Sequence, residues 1–89
     1  MLDNLMRTWE HINAKINFVI YGPGNVKVKI YTLDNRFIKT LFDGNLTANS
    51  YSYEWDGTNE SGQTVASGVY IVYIEGPELK LRKKIVVIR

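Results

Sequence analysis

Apolar and polar residues alternate in short runs along most of this chain. In the run 26–31, Val26, Val28 and Ile30 fall on one side and two lysines fall on the other. Alternation with a period of two predicts a β-strand that has one buried face. Runs that predict strands occur at 15–21, 26–31, 37–42, 51–55, 69–75 and 79–89. With no helical pattern between these runs, the chain is predicted to be an all-β, antiparallel sandwich of about six to seven strands.

Two of the runs depart from simple alternation. In the third run, Phe37 and Ile38 are both apolar, and so are Leu41 and Phe42. Either a β-bulge or contacts on both faces of the strand would produce this pattern. The run 69–75 is apolar on both faces, which predicts a central place in a sheet.

Turn-forming residues separate the runs. The stretches "GPGN" (22–25) and "GPE" (76–78) predict turns. The pair "DN" (34–35) suits a tight hairpin, because Asp and Asn tolerate positive φ. The stretch "DGNLTANS" (43–50) predicts a loop.

The first thirteen residues differ from the rest, and we divide the chain into an N-terminal arm (1–13) and a sandwich domain (14–89). Asp3 is an acceptable N-cap for a short amphipathic helix. Apolar residues recur at helical spacing at Leu2, Leu5, Met6, Trp9 and Ile12. The alternative is that residues 1–13 are a linker from an upstream region.

The run "IVVI" (85–88) would present apolar side chains to both faces of the last strand, whereas a sandwich strand buries one face. We therefore expect a cover over either Val86 and Ile88 or Ile85 and Val87. An upstream domain could supply it. For this chain by itself, we expect the N-terminal arm or a second copy to do so.

The composition limits the kinds of chemistry that the chain can support. Its 89 residues suffice for one domain, and 45% hydrophobic with 22% charged residues is a globular balance. There is no cysteine, which excludes disulfides, thiolate metal sites and a cysteine nucleophile. His11 is the one histidine, so we expect no zinc site and no cofactor. The net charge of +2 is too small to argue for nucleic acid.

No run reaches the roughly 18 apolar residues that a membrane span needs. Residues 1–13 do not have the form of a signal peptide, because Asp3 and Arg7 interrupt the apolar positions and no small-residue cleavage site follows. The protein is therefore expected to be either cytoplasmic or a piece of a longer exported protein.

The segment 55–70, "WDGTNESGQTVASGVY", is the strongest candidate for a binding loop. As a calcium loop that starts at Asp56, it has Ser61 where an EF-hand needs glycine and Ser67 where it needs glutamate. It also lacks the Lys and Ser/Thr of a phosphate-binding loop. A triad of Ser67, His11 and Asp56 has no support in the sequence.

The same segment fits a connection between two strands better. Trp55 would end a strand with its indole in the core, and Asp56 would accept backbone N–H bonds across the turn. The glycines would supply positive φ or let the chain bend. The residues expected to form the turn and the core beside it are Trp55, Asp56, Gly57, Gly62, Gly68 and Tyr70.

These residues lie within a longer similarity to a known family. The stretches "VKVKIYTLDNRFIKTLFDG", "YSYEWDGTNESGQTVASGVYIVYIE" and "RKKIVVIR" resemble the immunoglobulin-like domain of the flagellar hook-capping protein, the FlgD-type Ig-like family. The resemblance covers about residues 15–89, and it overlaps in pattern with the C-terminal sorting domains of type IX secretion. Asn35 stands where the family usually has Gly, and the usual lead-in is replaced by "RTWEHIN".

The resemblance implies a small immunoglobulin- or fibronectin-III-like β-sandwich without catalytic residues. It implies an accessory C-terminal domain of an exported, cell-surface or flagellar protein that acts in docking, assembly or anchoring. The expected partners are other domains of a larger parent protein, envelope or flagellar proteins, and a second copy of the chain. An enzyme is the least expected class.

The alternative is a module that binds polysaccharide or another surface ligand. Exposed aromatic rings of Tyr31, Tyr73 and Trp9 could form its platform, although cross-strand pairing alone would explain aromatic residues in a sheet, and we favour that explanation.

The basic segment "KLRKK" is the candidate contact with an acidic partner, an anionic glycan or nucleic acid. Nucleic acid is the weakest of these, because no aromatic residues are interleaved with the charges. The structural interpretation, which we favour, is that the charges keep an outer strand from pairing with other molecules. The residues concerned are Lys80, Arg82, Lys83 and Lys84.

Overall fold

We describe the protein from a computed structural model, which covers residues 4–7 and 14–88. Within these ranges the chain forms strands and turns and contains no helix. The strands are β1 (Asn4–Arg7), β2 (Ala14–Ile20), β3 (Gly24–Thr32), β4 (Phe37–Leu46), β5 (Asn49–Trp55), β6 (Gly68–Gly76) and β7 (Leu79–Ile88).

The strands form two sheets that pack face to face. The larger sheet has the order β1-β7-β6-β3-β4, and the smaller sheet consists of β2 and β5. Strands β2 to β7 pair antiparallel, whereas β1 pairs parallel with β7. The prediction of an all-β antiparallel sandwich is confirmed, and β6 takes the central place that its two apolar faces predicted.

The core lies between the two sheets and follows from the alternation of the strands. In β2 every second residue from Ala14 to Ile20 is buried, and β3 buries Val26, Val28 and Ile30 completely. In the strands, successive side chains point to opposite faces, so every second residue faces the core. Strands β5, β6 and β7 and the loop between β5 and β6 contribute the remaining buried side chains. They include Trp55, Val65, Tyr70, Val72, Ile74, Ile85 and Val87.

Strand β4 explains the irregular third run. The pairing of β3 with β4 shifts between Val28 and Lys29 and again between Ile30 and Tyr31, so Leu41 and Ile38 have no direct partner in β3. These β-bulges place neighbouring apolar residues on the core side.

The loop predicted at 43–50 is wrong over most of its length. Strand β4 continues to Leu46 and β5 begins at Asn49, which leaves two residues between them. The reason is the long pairing with β3, where Gly24 lies opposite Leu46 and Val26 lies opposite Gly44. Partner strands outweigh the turn-like composition of this segment.

The predicted turns at 34–35 and 76–78 are present, and each contains a residue with positive φ. Asn35 has φ of 74°, in the turn between β3 and β4, and Glu78 has φ of 56°, between β6 and β7. Asn35 therefore takes the left-handed conformation that glycine would take at this position.

The described part of the N-terminal arm is a strand and not the helix that its apolar spacing suggested. Residues Asn4–Arg7 are a strand that runs beside Ile85–Ile88, and the apolar positions Leu2, Trp9 and Ile12 lie outside the described residues. Main-chain pairing with the edge of β7 outweighs the helical spacing in this short segment. Ile85 and Val87 face the core between the sheets.

Candidate functional site

The segment after β5 is a corner built on two aromatic side chains. Trp55 is completely buried, and its ring meets the Tyr70 ring edge to face at 5.3 Å. Its indole N–H donates to the Thr58 carbonyl oxygen at 2.8 Å, and the Tyr70 hydroxyl donates to the Ala66 carbonyl oxygen at 2.6 Å. A tyrosine at the start of a strand that binds the backbone four residues upstream is a feature of immunoglobulin-like sandwiches.

Asp56 holds the turn together through its carboxylate. It accepts hydrogen bonds from the Thr58 amide at 3.2 Å and from the Thr58 hydroxyl at 2.5 Å. The Lys39 ammonium lies 3.8 Å away. The Thr58 hydrogen bond lowers the pKa of Asp56, burial opposes it by a smaller amount, and the Lys39 charge lowers the pKa further. This is the geometry of an Asx turn.

The rest of the loop is held by its own backbone. Gly57 and Gly62 have φ of 78° and 81°, the left-handed region that glycine adopts at low cost. The Asn59 side chain accepts from two later amides, and the Val65 amide donates to the Gly57 carbonyl oxygen at 2.9 Å. Gly68 is the first residue of β6, where an added side chain would meet only the Tyr70 ring at 4.0 Å.

The loop also covers the free edge of β4. The Glu60 amide donates to the Ile38 carbonyl oxygen at 3.0 Å, and the Glu60 carboxylate accepts from the Thr40 amide at 3.2 Å. A loop laid on an edge strand blocks pairing with other molecules. Sequence reasoning missed this role of Glu60, because the contact joins residues about twenty positions apart.

The structure divides the predicted basic segment between the two faces of β7. Lys80, Arg82 and Lys84 are exposed on the face turned away from β2 and β5. Lys83 lies on the opposite side, where its ammonium donates to the Asn17 carbonyl oxygen at 2.8 Å. Alternation along the strand causes the division.

We call the side of the larger sheet that points away from β2 and β5 the outer face. It carries charged residues from other strands besides those of the basic segment. Strand β3 adds Lys27 and Lys29, which sequence reasoning left out, although the alternation of "VKVKIY" contains the signal. The register places Glu75 between Lys27 and Lys80. Among the side chains that the structure describes, the charged ones on the outer face are Lys27, Lys29, Asp43, Glu75, Lys80, Arg82 and Lys84.

Aromatic rings occupy the middle of the outer face. Tyr31 meets Tyr73 edge to face at 5.1 Å and Phe37 at 5.7 Å, and the Arg82 guanidinium lies 5.4 Å from the centre of the Tyr73 ring. Tyr31 and Tyr73 are thus contacting neighbours on adjacent strands, whereas Trp9 lies outside the described residues.

An apolar centre and a shallow depression complete the outer face. Ile71 also points outward but is only 4% exposed, because it lies between Tyr31 and Lys84 in register. Tyr31, Asn35, Tyr73 and Glu75 border a shallow depression of about 290 Å³.

The described residues lack two further features. They contain no group of three or more His, Cys, Asp or Glu side chains that could hold a metal ion. Nor do residues 4–7 and 14–88 include a helix that is long and apolar enough to cross a membrane.

The two sheets, the parallel first strand and the tyrosine corner define an immunoglobulin-like β-sandwich. The chain belongs to the FlgD Ig-like domain family, whose model matches residues 13–77. No curated protein matches the chain.

A solved structure has a similar fold. It is PorZ, an essential bacterial surface component of the type-IX secretion system of Porphyromonas gingivalis, with a TM-score of 0.65 and 24% identity. The match covers 98% of this chain and 11% of PorZ, so the chain spans about a ninth of that protein's length.

Proposed function

We propose that the chain is a non-catalytic accessory domain of a larger exported protein, at the cell surface or in the flagellum, and that it docks an acidic protein partner through its outer face. The FlgD Ig-like family is a structural kind of domain, which supports binding over catalysis. The fold shared with part of a much longer surface protein supports a role as one domain among several.

The main support for this proposal is the charge of the outer face. Five basic side chains and two carboxylates point outward there, among the described residues, while the whole chain has a net charge of only +2. The row that contains Asp43, Lys27, Glu75 and Lys80 alternates in sign and is nearly neutral. The excess positive charge therefore lies toward Lys29, Arg82 and Lys84, and such a patch attracts acidic surfaces.

The same region has the arrangement of residues that is typical of a protein–protein interface. Ile71 and the tyrosine rings form an apolar centre, and Lys29, Arg82 and Lys84 surround it in register. Protein interfaces concentrate their binding energy in Tyr and Arg side chains near a water-excluding centre.

A polysaccharide is the alternative occupant, and ring geometry weighs against it. Tyr31 and Tyr73 stand nearly perpendicular, with 89° between their planes, and the Arg82 guanidinium lies over the Tyr73 ring. A sugar stacks on an open ring face, whereas these rings use their faces and edges on one another. We therefore propose an acidic protein surface.

Titration calorimetry with two probes tests the choice of partner. The probes are a short polyglutamate peptide and polygalacturonate, which carry the same charge on different backbones. We expect the peptide to bind the unmodified chain, and the affinity to fall by about tenfold in the Arg82→Gln, Lys84→Gln double variant. Lys83→Gln is the matched control, because Lys83 points to the other side of β7.

Three results of the calorimetry would contradict the proposal. The first is an equal loss of affinity in the Lys83→Gln control. The second is binding that persists unchanged in about 0.5 M salt, where the Debye length is only a few ångströms. The third is strong binding of polygalacturonate without binding of the peptide, which would favour the polysaccharide module.

The proposed location has a separate test. Antibodies against the domain should label intact producing cells or their flagella if the parent protein is exported. Labelling that requires permeabilised cells would contradict the export part of the proposal.

A further inference from the structure

Residues 43–47 have the sequence "DGNLT", which contains the acceptor tripeptide of asparagine-linked glycosylation. That tripeptide is Asn, then any residue except proline, then Ser or Thr. Bacterial transferases of this class also require an acidic residue two positions before the asparagine, and Asp43 supplies it. The stretch 59–61, "NES", has the same tripeptide but has Gly57 at the acidic position. The chain therefore contains one complete acceptor sequence and one incomplete one.

The structure exposes the three required residues of the complete acceptor sequence. Asp43 and Asn45 are exposed and point to the outer face, because residues two apart in a strand share a face. The intervening Gly44 lies opposite a buried residue of β3, and Leu46 packs against the core. Thr47 follows the end of β4 and is exposed. The positions that a transferase recognises are thus accessible, while the two variable positions face inward.

Asn45 lies at a corner of the outer face. Strand β4 is at the edge of the larger sheet, and Asn45 pairs with Asn25 near the start of β3. The pairing of β3 with β6 ends before this point, at Lys27 and Glu75. A bulky, hydrophilic group therefore has room at Asn45. The nearly neutral row of charges separates Asn45 from the basic patch, so a glycan there leaves the proposed contact open.

The chain after β4 is held in place without engaging the Thr47 side chain strongly. The Tyr51 hydroxyl donates to the Thr47 carbonyl oxygen at 2.6 Å, whereas the two side-chain hydroxyl oxygens lie 3.5 Å apart. A separation of 3.5 Å is too long for a strong hydrogen bond between hydroxyls. The Thr47 hydroxyl therefore remains available to a transferase.

The second tripeptide is fixed within the loop after β5. The half-buried Asn59 side chain accepts hydrogen bonds from the Ser61 amide and from the Gln63 amide, each at 3.0 Å. Turning the Asn59 carboxamide toward an enzyme would break both bonds. Asn59 is therefore a matched control within the same chain.

We propose that Asn45 is the attachment site of an N-linked glycan, which a transferase supplies from a lipid-pyrophosphate-linked oligosaccharide. The Asn45 amide nitrogen loses a proton and bonds to the anomeric carbon of the first sugar. The bond from that carbon to the pyrophosphate oxygen breaks, and the lipid pyrophosphate leaves with its electron pair. The proposal rests on the export part of the proposed function, because such transfer takes place outside the cytoplasm.

A glycan at Asn45 would protect a part of β4 that the loop leaves uncovered. Glu60 binds the free edge of this strand at Ile38 and Thr40. Asn45 lies further along the same strand, toward its end. A bulky hydrophilic group beside an edge strand hinders its pairing with other molecules.

Transfer in vitro to the purified, folded chain tests the proposal. The reagents are a bacterial single-subunit oligosaccharyltransferase and a lipid-linked oligosaccharide, and peptide mapping by mass spectrometry locates the glycan. We expect one glycan at Asn45 and none at Asn59. Asn45→Gln should accept none. Asp43→Asn should slow the transfer about tenfold, the effect of losing one charge-assisted contact. The control variant Asn59→Gln should be modified at the same rate as the unmodified chain.

Three results would overturn the proposal. The first is no transfer to the folded chain by an enzyme that modifies a reference acceptor peptide. The second is transfer to Asn59 as fast as to Asn45. The third is an unmodified Asn45 in protein purified from producing cells whose intact surface the domain antibodies label. The reaction in vitro depends neither on location nor on the basic patch, so its failure leaves the proposed function intact.

Discussion

The Lys83 ammonium lies 2.8 Å from the Asn17 carbonyl oxygen and so links the last strand of the larger sheet to the edge of the smaller one. Its neighbours Arg82 and Lys84 point to the outer face. One short basic run is therefore divided between the two faces of β7, which a count of charges along the sequence does not reveal.

Replacing Lys83 by methionine should lower the free energy of unfolding by about 0.5–1 kcal/mol, because a charge-assisted hydrogen bond at a partly exposed site is lost. Urea denaturation measures the change. Lys80→Met is the matched control and should cost less, because Lys80 is exposed on the other face of β7. If the two variants are equally stable, the contact between Lys83 and Asn17 contributes nothing.

The corner after β5 should depend on both of its aromatic residues. Trp55→Ala leaves a large cavity and should cost about 3–5 kcal/mol, a large part of the stability of a domain of this size. Tyr70→Phe keeps the ring and loses the hydrogen bond to Ala66, so we expect a cost of about 1 kcal/mol. Chemical denaturation measures both costs. If Tyr70→Phe were as unstable as Trp55→Ala, the Tyr70 hydrogen bond would contribute more than this account allows.

The Asp56 carboxylate predicts a dependence of stability on pH. Its pKa in the folded protein is lowered from the ordinary value of 3.8, chiefly by the Thr58 hydrogen bond. The contribution of Asp56 is therefore present above that ordinary value and is lost as the pH falls through the lowered one. We expect the melting temperature of Asp56→Asn to fall less steeply than that of the unmodified chain below about pH 4.

Adding calcium tests the interpretation that Asp56 holds the turn and does not bind a metal ion. A filled native-state site would add about 2.7 kcal/mol at a hundred times its dissociation constant. Millimolar calcium should leave the melting temperature unchanged at neutral pH. A rise of several degrees would show that the loop binds the ion.

Removing residues 1–13 should expose the edge of β7, because Asn4–Arg7 pair with Ile85–Ile88. We expect the fragment that starts at Ala14 to melt at a lower temperature and to associate at high concentration, since an uncovered edge strand pairs with other molecules. Thermal denaturation measures the melting temperature, sedimentation measures association, and binding of a hydrophobic dye measures exposed apolar surface. A monomeric fragment with an unchanged melting temperature and no gain in dye binding would contradict this role of the arm.

Strands with one buried face were predictable from the sequence. The alternation in β2 and β3 identifies the core residues correctly, because the apolar residue at every second position is also the buried one. The second half of β4 was not predictable, since its strand structure depends on pairing of Gly44 and Leu46 with β3. The same limit applies to β1, whose strand structure is set by the edge of β7.

The candidate surfaces were predictable only in part. The basic residues were visible in the sequence, and alternation places Lys27 and Lys29 on the outward side of their strand. That they share one face with Arg82 and Lys84 needed the order of the strands.

The most direct measurement of the proposed function is an NMR titration of the chain with the polyglutamate peptide, read residue by residue. We expect the amide signals of Lys29, Tyr31, Tyr73 and Arg82 to shift together and in proportion to occupancy, while that of Ser52 stays in place. Shifts confined to β2 and β5, or no shifts at concentrations that saturate a basic patch, would contradict docking through the outer face.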